Sequence, residues 1–418
     1  MHLTIEQIAR ATSSYGDFEG FERVAITRVQ TDSRLVQEGD LFVCIAGQRY
    51  DGHNFAREAV RKGAAAILAH TPLLDMAGAQ EVPVLLVEDT VKALGRLALY
   101  VRQRTRARVI GITGSAGKTT TKEFLSSVLS QKARVGKNYK NWNNQLGLPL
   151  SILNFDGQED YWVLELGISK PEDMDELGSI LRPDIVIITN IGPCHLEGLG
   201  SVLDVASYKT KILDYLQNES WAVLNKDYPA LVKEARKRQQ IKQYLFSCSD
   251  KKQKFRGEYH GCEGDKGRYE IGINGENYYF TLPWIGAHLT ENITAVAVLA
   301  HLLGYSGSEV EQGLCQARIP EQRLCLWSEG EWTIIDDTYN ANPLSMRAAI
   351  RTAAELAKDR DLVLVLGDMA ELGTLTEEEH RKLGEFIRKI DCNYVFFHGQ
   401  HADYVKAGLS ASEGWPGE

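Results

Sequence analysis

The sequence predicts an α/β protein of three domains. A central domain on a mostly parallel, phosphate-loop type sheet is flanked by a small N-terminal α/β domain and a Rossmann-like C-terminal α/β domain. Three observations predict it. The apolar run Val109 to Ile112 leads into Thr113-Gly114-Ser115-Ala116-Gly117-Lys118-Thr119-Thr120 and then a helical segment to Leu129, which reads as strand, glycine loop and helix. Short apolar runs recur between helical patterns over the rest of the chain, as parallel sheets with crossover helices require. The 418 residues also exceed what one hydrophobic core serves. We place the domains at 1–91, 92–327 and 328–418.

Charged residues make up 25% and apolar ones 44%, an ordinary globular balance. A formal charge of -9 gives no general attraction to nucleic acid or to an anionic membrane, so small-molecule partners are expected. The seven cysteines are scattered without metal-knuckle or C-x-x-C spacing and read as reduced thiols. The N-terminus lacks a signal pattern and no apolar stretch approaches about 18 residues, so a cytoplasmic protein is expected.

In the first domain a helix is expected over Ile5 to Ala11, a buried strand over Asp40 to Ile45, a helix over Phe55 to Lys62 and a strand over Ala64 to Leu68. Thr31-Asp32-Ser33-Arg34 and Gly47 to His53 are polar clusters that, taken alone, read as turns. A helix over Val91 to Gln103 leads into the glycine loop. There the glycines let backbone N–H groups close on phosphate oxygens, Lys118 can reach the outer phosphates and the Thr119 hydroxyl can ligate Mg2+. A nucleoside triphosphate is therefore expected. The usual G-x-x-x-x-G-K-[ST] spacing is not met, because Ile112 stands where its first glycine would be.

Past the loop, Asn141, Asn143 and Asn144 cluster in a polar segment. The strand Tyr161 to Gly167 carries Glu165 near its C-terminal end, where an open parallel sheet meets its ligand, so Glu165 is placed to hold Mg2+. His195 leaves the strand Asp184 to Asn190 at the same end. The helix Ser201 to Leu216 carries Lys209 and Lys211, which cannot share a face. Asn274-Gly275 predicts a hairpin within 267–280, and the helix Glu291 to Leu303 bears Asn292. The last domain begins with the strand Thr333 to Asp337, a polar loop to Pro343 and the helix Leu344 to Leu356. It continues with the strand Leu362 to Met369, the helix Thr376 to Ile390 opened by a Thr376–Glu379 capping box, and the strand Tyr394 to Phe397.

Laid out in this order, the chain resembles the Mur ligase family over almost its whole length. The resemblance rests on Thr31-Asp32-Ser33-Arg34 with Gly39-Asp40-Leu41-Phe42, on the glycine loop, on Asn141 to Pro149, and on Glu165-Leu166-Gly167 and His195-Leu196-Glu197. It extends through Asp336 to Pro343 and Leu366 to Gly373. The family's loop is the short G-x-x-G-K-[ST] form, which this chain has. The resemblance implies an amide ligase using ATP and Mg2+: ATP phosphorylates the carboxylate of a UDP-linked muramoyl peptide, the amine of D-alanyl-D-alanine attacks the acyl phosphate, and ADP and phosphate leave.

By that resemblance Lys118, His195 and a carbamylated Lys209 serve catalysis. Thr119 and Glu165 hold one Mg2+, and His195 and Lys209 hold a second. Gly114, Ser115, Ala116, Gly117, Lys118, Thr119, Thr120, Asn292, Arg323 and Asp337 hold ATP. Thr31, Asp32, Ser33, Asn143, Asn144, Tyr339, Asn340 and Asn342 contact substrate, and a monomer is expected. Two departures stand out. Glu321-Gln322-Arg323 replaces a Gly-Arg pair, and the chain ends at Glu418 without the final strand and Lys-Gly-Ser-type segment, so the last domain is expected to be short. Two competing functions are a Mur-like ligase for another acid and amine, and a nucleotide-binding partner subunit with reduced catalysis.

Overall fold

The computed structural model describes residues 3–16, 18–73, 82–217, 219–358 and 360–410. The chain forms two compact units, one of Met1–Val109, Ala133–Leu166 and Asp175–Pro183, the other of Ile110–Lys132, Gly167–Met174 and Asp184–Glu418. No helix among the described residues is long and apolar enough to cross a membrane. All seven cysteines are free thiols.

In the first unit four strands lie parallel in chain order: Arg28–Gln30, Asp40–Val43, Ala66–Ala69 and Val84–Leu86. Phe42, Cys44, Ala56, Ala59, Ile67 and Ala69 form the buried core between this sheet and the helix Ala56–Arg61. The Gly-Asp-Leu-Phe stretch has a structural reason to exist. Asp40, at the buried start of its strand, accepts from Arg28 Nε at 2.9 Å and Nη2 at 2.7 Å and from the Gln37 N–H at 2.8 Å. The expected first helix forms over Ile5–Thr12, opened by a Thr4–Gln7 capping box. The helix Thr90–Arg102 is capped by Asp89, and the strands Val135–Lys137 and Tyr161–Glu165 pair in parallel.

The second unit carries a larger sheet. Arg108–Thr113, which enters it at Ile110, is followed laterally by Ile185–Ile188, Trp221–Asn225, Lys242–Ser247 and Phe255–Glu263, all parallel. Lys266–Ile273 and Glu276–Leu282 continue it antiparallel, turning at Asn274 and Gly275 with φ of 53° and 98°, the left-handed pair the Asn-Gly signal demands. The parallel arrangement is as expected, although the sequence reading singled out neither Trp221–Asn225 nor Lys242–Ser247. The helix Leu289–Leu302 is buried on almost every side, which removes the amphipathic signature by which surface helices are recognised. The helix Lys118–Leu129 meets the helix Gly307–Gln316 where Gly313 has no side chain. A Cβ there would lie 2.4 Å from the Val128 Cα, so only glycine lets the backbones approach.

In the C-terminal part, Val363–Gly367 and Tyr394–His398 are parallel and joined through the helix Thr376–Ile387, a βαβ unit packed on Ile350, Leu364, Leu383 and Ile387. Cys325–Glu329 and Trp332–Asp336 form an antiparallel pair. One local expectation fails here. Thr376–Glu379 is no capping box: a turn of 3₁₀ helix at Gly373–Leu375 precedes the helix, and the Thr376 hydroxyl donates to Gly373 O at 2.8 Å. Glu379 instead binds Arg347 at 2.9 Å and Lys382 at 3.0 Å, since a buried carboxylate gains more from two cations than from one backbone N–H. The helix expected over Ser201 to Leu216 is α-helical only over Val202–Thr210 and tightens to 3₁₀ over Lys211–Tyr215.

Candidate active site

The glycine loop leaves the strand Arg108–Thr113 at its C-terminal end and opens the helix Lys118–Leu129. Gly117 caps that helix with φ of 75°, a left-handed conformation that costs a side-chain-bearing residue about 1–2 kcal/mol. A Cβ on Gly117 would stand 2.3 Å from Asn292 Nδ2, and one on Gly114 would stand 2.0 Å from the Thr189 hydroxyl. Both glycines are therefore needed for close approach as well as for the turn.

What holds the loop comes from the neighbouring strand's exit and from the helix Leu289–Leu302. Asn190 Oδ1 accepts from Ala116 N–H at 2.8 Å, Asn190 O accepts from Ser115 N–H at 3.1 Å, and the Thr189 hydroxyl donates to Ala116 O at 2.8 Å. Ser115 is buried. Its hydroxyl donates to Gly192 O at 3.1 Å and accepts from Gly192 N–H at 2.9 Å and from the Cys194 thiol at 3.2 Å. Asn292 Nδ2 donates to Gly117 O at 3.2 Å and to the Thr121 hydroxyl at 2.8 Å. Residues outside the loop thus fix its shape. Lys118 Nζ donates back to Gly114 O at 2.9 Å, which holds the ammonium over the loop, while Thr119 and Thr120 are buried in the first helical turn.

Lys209 and Lys211 point as their spacing demands. Lys211 lies partly exposed, its ammonium 5.4 Å from the centre of the Tyr208 ring. Lys209 is 0% exposed and its Nζ makes no hydrogen bond among the described residues. Burial pulls its pKa down to about 8, with the Cys194 side chain opposing and the Lys118 charge adding to the shift. His195 opens the short helix Leu196–Leu199 with φ of 52°. Burial lowers its pKa, contact with Glu371 raises it, and the charges of Lys118 and Lys209 lower it further. These three predicted catalytic groups are brought within electrostatic reach of one another beside the loop. An arrangement of two cations with a neutral-leaning imidazole favours polyanions.

A second cluster gathers Arg323, Asp337 and Tyr339. The guanidinium lies 3.9 Å from the Tyr339 ring centre, and the Leu324 N–H donates to Asp337 Oδ1 at 3.2 Å. Burial raises the Asp337 pKa to about 6, against the pull of that N–H and of Arg323. Asn340 Oδ1 accepts from its neighbour Ala341 at 2.9 Å, and Asn342 caps the helix Pro343–Ala357 through a capping box with Ser345. Glu321 is exposed, so its charge faces solvent. Gln322 carries φ of 64°, a left-handed backbone on a residue with a side chain.

In the first unit Glu165 ends its strand fully buried, and its Oε1 accepts from Asn143 Nδ2 at 2.8 Å. Asn144 Oδ1 accepts from the Leu146 and Gly147 N–H groups at 3.2 and 2.9 Å and so starts the helix Gly147–Leu153. Asp32 caps the 3₁₀ turn Ser33–Leu35 and pairs with Arg34, which lowers its pKa. Ser33 donates to Glu58 at 2.8 Å, and Thr31 N–H bonds Gln30 Oε1 at 3.3 Å. The sequence reading gave no role to Thr189, Asn190, Cys194, Glu291 or Glu371. For Asn190 a signal existed: a polar side chain at the exit of the strand next to a phosphate loop lies at the ligand end of the sheet.

Strand, braced glycine loop, helix and the lysine–histidine cluster define a phosphate-loop nucleotide-binding α/β protein. Family models match in series: Mur ligase family, catalytic domain, over residues 25–102, Mur ligase middle domain over 112–300, and Mur ligase, glutamate ligase domain, over 322–414. The chain belongs to the Mur ligase family. It is 32% identical to the UDP-N-acetylmuramoyl-tripeptide–D-alanyl-D-alanine ligase of Bacillus subtilis (strain 168), over 97% of this chain and 87% of that protein. It is also 32% identical to the protein of the same name from Escherichia coli (strain K12), over 95% and 86%.

Among solved structures, the MurF crystal structure from Acinetobacter baumannii matches with a TM-score of 0.88 at 30% identity, over 98% of this chain and 88% of that one. MurF ligase from Thermotoga maritima in complex with ADP matches at 0.78 and 28%, over 91% and 96%. The folylpolyglutamate synthase from Thermotoga maritima, at 0.56 and 16% over 76% and 83%, shares the fold alone.

Proposed function

We propose that this chain is an ATP-dependent, ADP-forming ligase that joins D-alanyl-D-alanine to a UDP-N-acetylmuramoyl tripeptide in the cytoplasm, through an acyl phosphate. The observation that carries the chemistry is Lys118 held over a braced glycine loop with His195 and the buried Lys209 beside it. The names of the full-length relatives support the substrate pair. Three segments matched by three family models support a three-domain organisation near the boundaries read from the sequence.

A carboxylate resists attack by an amine until one oxygen becomes a good leaving group. In the first step a carboxylate oxygen bonds the γ-phosphorus as the bond to the β-phosphate oxygen breaks, and ADP leaves. In the second the amine bonds the acyl carbon, phosphate leaves and the amine loses its proton. The chain's part is positioning and charge. Asn190 and Thr189 fix the loop's shape, Asn190 by taking the Ser115 and Ala116 N–H groups, so phosphate oxygens are received by the N–H groups that follow at the start of the helix Lys118–Leu129. Lys118 exchanges the Gly114 carbonyl for the transferring phosphoryl group, a charged and therefore stronger acceptor.

The residues also fit a divalent cation. A buried amine with no hydrogen-bond partner among the described residues is poised to take up CO2 and become an anionic carbamate ligand, and His195 offers an imidazole beside it. Thr119 supplies a hydroxyl at the loop, and Mg2+ held there would neutralise charge developing on the phosphoryl oxygens. By resemblance to the family Glu165, a buried carboxylate, is a ligand of Mg2+ as well. Arg323, Asp337 and Asn292 serve the nucleotide. Thr31, Asp32 and Ser33 serve the uridine nucleotide of the UDP-linked substrate, Tyr339, Asn340 and Asn342 serve the peptide and the incoming dipeptide, and Asn143 and Asn144 serve substrate as well, in some cases through the loops and caps they hold. The test is phosphate release by the full chain with ATP, the UDP-muramoyl tripeptide and D-alanyl-D-alanine, against single omissions and against a folate–glutamate pair. Release that depends on all three substrates is expected, and release with the folate pair alone would overturn the assignment.

A further inference from the structure

Glu371 belongs to the segment that follows the strand Val363–Gly367, and His195 to the segment that follows the strand Ile185–Ile188, 176 residues away. They meet directly: the Glu371 carboxylate contacts Nδ1 of His195. A second bond fixes the encounter, from Glu197 N–H to Glu371 O at 3.2 Å. Both backbones are left-handed, with φ of 52° at His195 and 60° at Glu371, although neither is glycine. Each such residue is strained, and the pair persists because the surroundings hold it. The neighbouring Gly373, at φ of 56°, lies against Glu197, where a Cβ would meet its backbone at 3.4 Å.

We infer that Glu371 is the positioning residue of His195: its carboxylate takes the proton-bearing Nδ1 and so turns the Nε2 lone pair toward the phosphate and cation site. A carboxylate can only accept, so Nδ1 must donate, and a neutral imidazole then has its lone pair on Nε2. The partner of a metal-binding histidine is in general what fixes its tautomer and ring direction. The residue supplying that partner lies within the segment matched by the glutamate ligase domain model, whereas His195 lies within the middle-domain match. The orientation of His195 therefore depends on the C-terminal segment being docked. A plain tether between two surfaces would need neither the ring nitrogen nor the two strained residues.

The destination of Nε2 rests on the ligase reading, but the orientation of the ring does not, and the experiment separates them. Nitrogen-15 imidazole spectra of the full chain, with His195→Gln to assign the signal, report which nitrogen carries the proton without any turnover. In the wild type the proton is expected on Nδ1. Glu371→Gln, whose amide oxygen can still accept, should keep it there, whereas Glu371→Ala should move the population toward Nε2–H. Mn2+ binding in the presence of ADP, read by electron paramagnetic resonance, should weaken by about 10- to 100-fold in Glu371→Ala and much less in Glu371→Gln. A wild-type proton on Nε2, an unchanged tautomer in Glu371→Ala, or equal losses in the two variants would overturn the assignment.

Discussion

Lys209 offers a test that is independent of turnover, because a buried ammonium costs folding energy. Its Nζ is fully enclosed, has no hydrogen-bond partner among the described residues and feels the charge of Lys118. A shift from 10.5 to about 8 corresponds to roughly 3 kcal/mol of disfavoured charge in the folded state. Lys209→Met, which keeps the length and removes the amine, should therefore stabilise the protein by about 2–3 kcal/mol at neutral pH in CO2-depleted, metal-free buffer. Because the folded pKa is lowered, the native chain binds fewer protons than the unfolded one between about pH 8 and 10.5, and wild-type stability rises across that window. The advantage of the variant should be full below about pH 8 and gone above about 10.5. Urea unfolding of both proteins over this range measures it. A methionine variant destabilised at neutral pH, or a difference that ignores pH, would refute the reasoning. The same burial has a chemical return: at pH 7.5 a pKa of about 8 leaves roughly a quarter of the amine neutral, against about one part in a thousand for an ordinary lysine. Carbon-13 bicarbonate should give a carbamate signal in the wild type and none in Lys209→Met, whose ligase activity should be lost, while Lys211→Ala stays active.

Four further outcomes are expected. Lys118→Ala should lower kcat by about a hundred- to a thousand-fold in a chain whose circular dichroism spectrum is unchanged, since the lost charge acts on the transferring phosphoryl group. Gly117→Ala should destabilise by about 1–2 kcal/mol in thermal melts and weaken ADP binding in calorimetry, because the added Cβ meets Asn292 at 2.3 Å on a backbone at φ of 75°. Gln322→Gly should stabilise by up to about 1 kcal/mol, the relief of a left-handed side-chain residue less the entropy of glycine, and Glu321→Gly should leave the KM for ATP unchanged because the carboxylate faces solvent.

Much of the fold was legible because its signals are local. The strand, glycine loop and helix around Gly117, the Asn274-Gly275 hairpin and the βαβ unit of the C-terminal part each follow from residues within one turn or one period. The Thr376–Glu379 box shows the limit of that method. The pattern was present, but Arg347 lies 32 residues from Glu379 and wins its carboxylate, and no local pattern records that competitor. Asparagine is ambiguous for the opposite reason. Asn144 and Asn342 fell in candidate substrate loops, and both side-chain oxygens are spent on backbone N–H groups where the next helix begins, Asn342 as its N-cap and Asn144 on Leu146 and Gly147, a use that any loop before a helix invites.

The site was legible one residue at a time and illegible as an assembly. Lys118 and His195 could be named from type and position, and Lys209 over Lys211 from the family resemblance, yet what aims them comes from far along the chain. Asn190 reaches the loop from 74 residues away, Asn292 from 175, and Glu371 reaches His195 from 176. Such partners are fixed by which strands neighbour one another, and strand order is a property of the folded sheet rather than of any window of sequence. The cluster therefore couples its parts. Asn190 orients the loop through Ala116 and in turn donates to Glu291 at 3.2 Å, whose carboxylate also accepts from the Tyr228 hydroxyl at 2.8 Å. Burial raises the Glu291 pKa, so that carboxylate is retained at a cost unless its bonds to Asn190 and Tyr228 are kept together. A loop held by such a chain keeps its N–H groups aimed before a phosphate arrives, so less reorganisation is left for binding to drive.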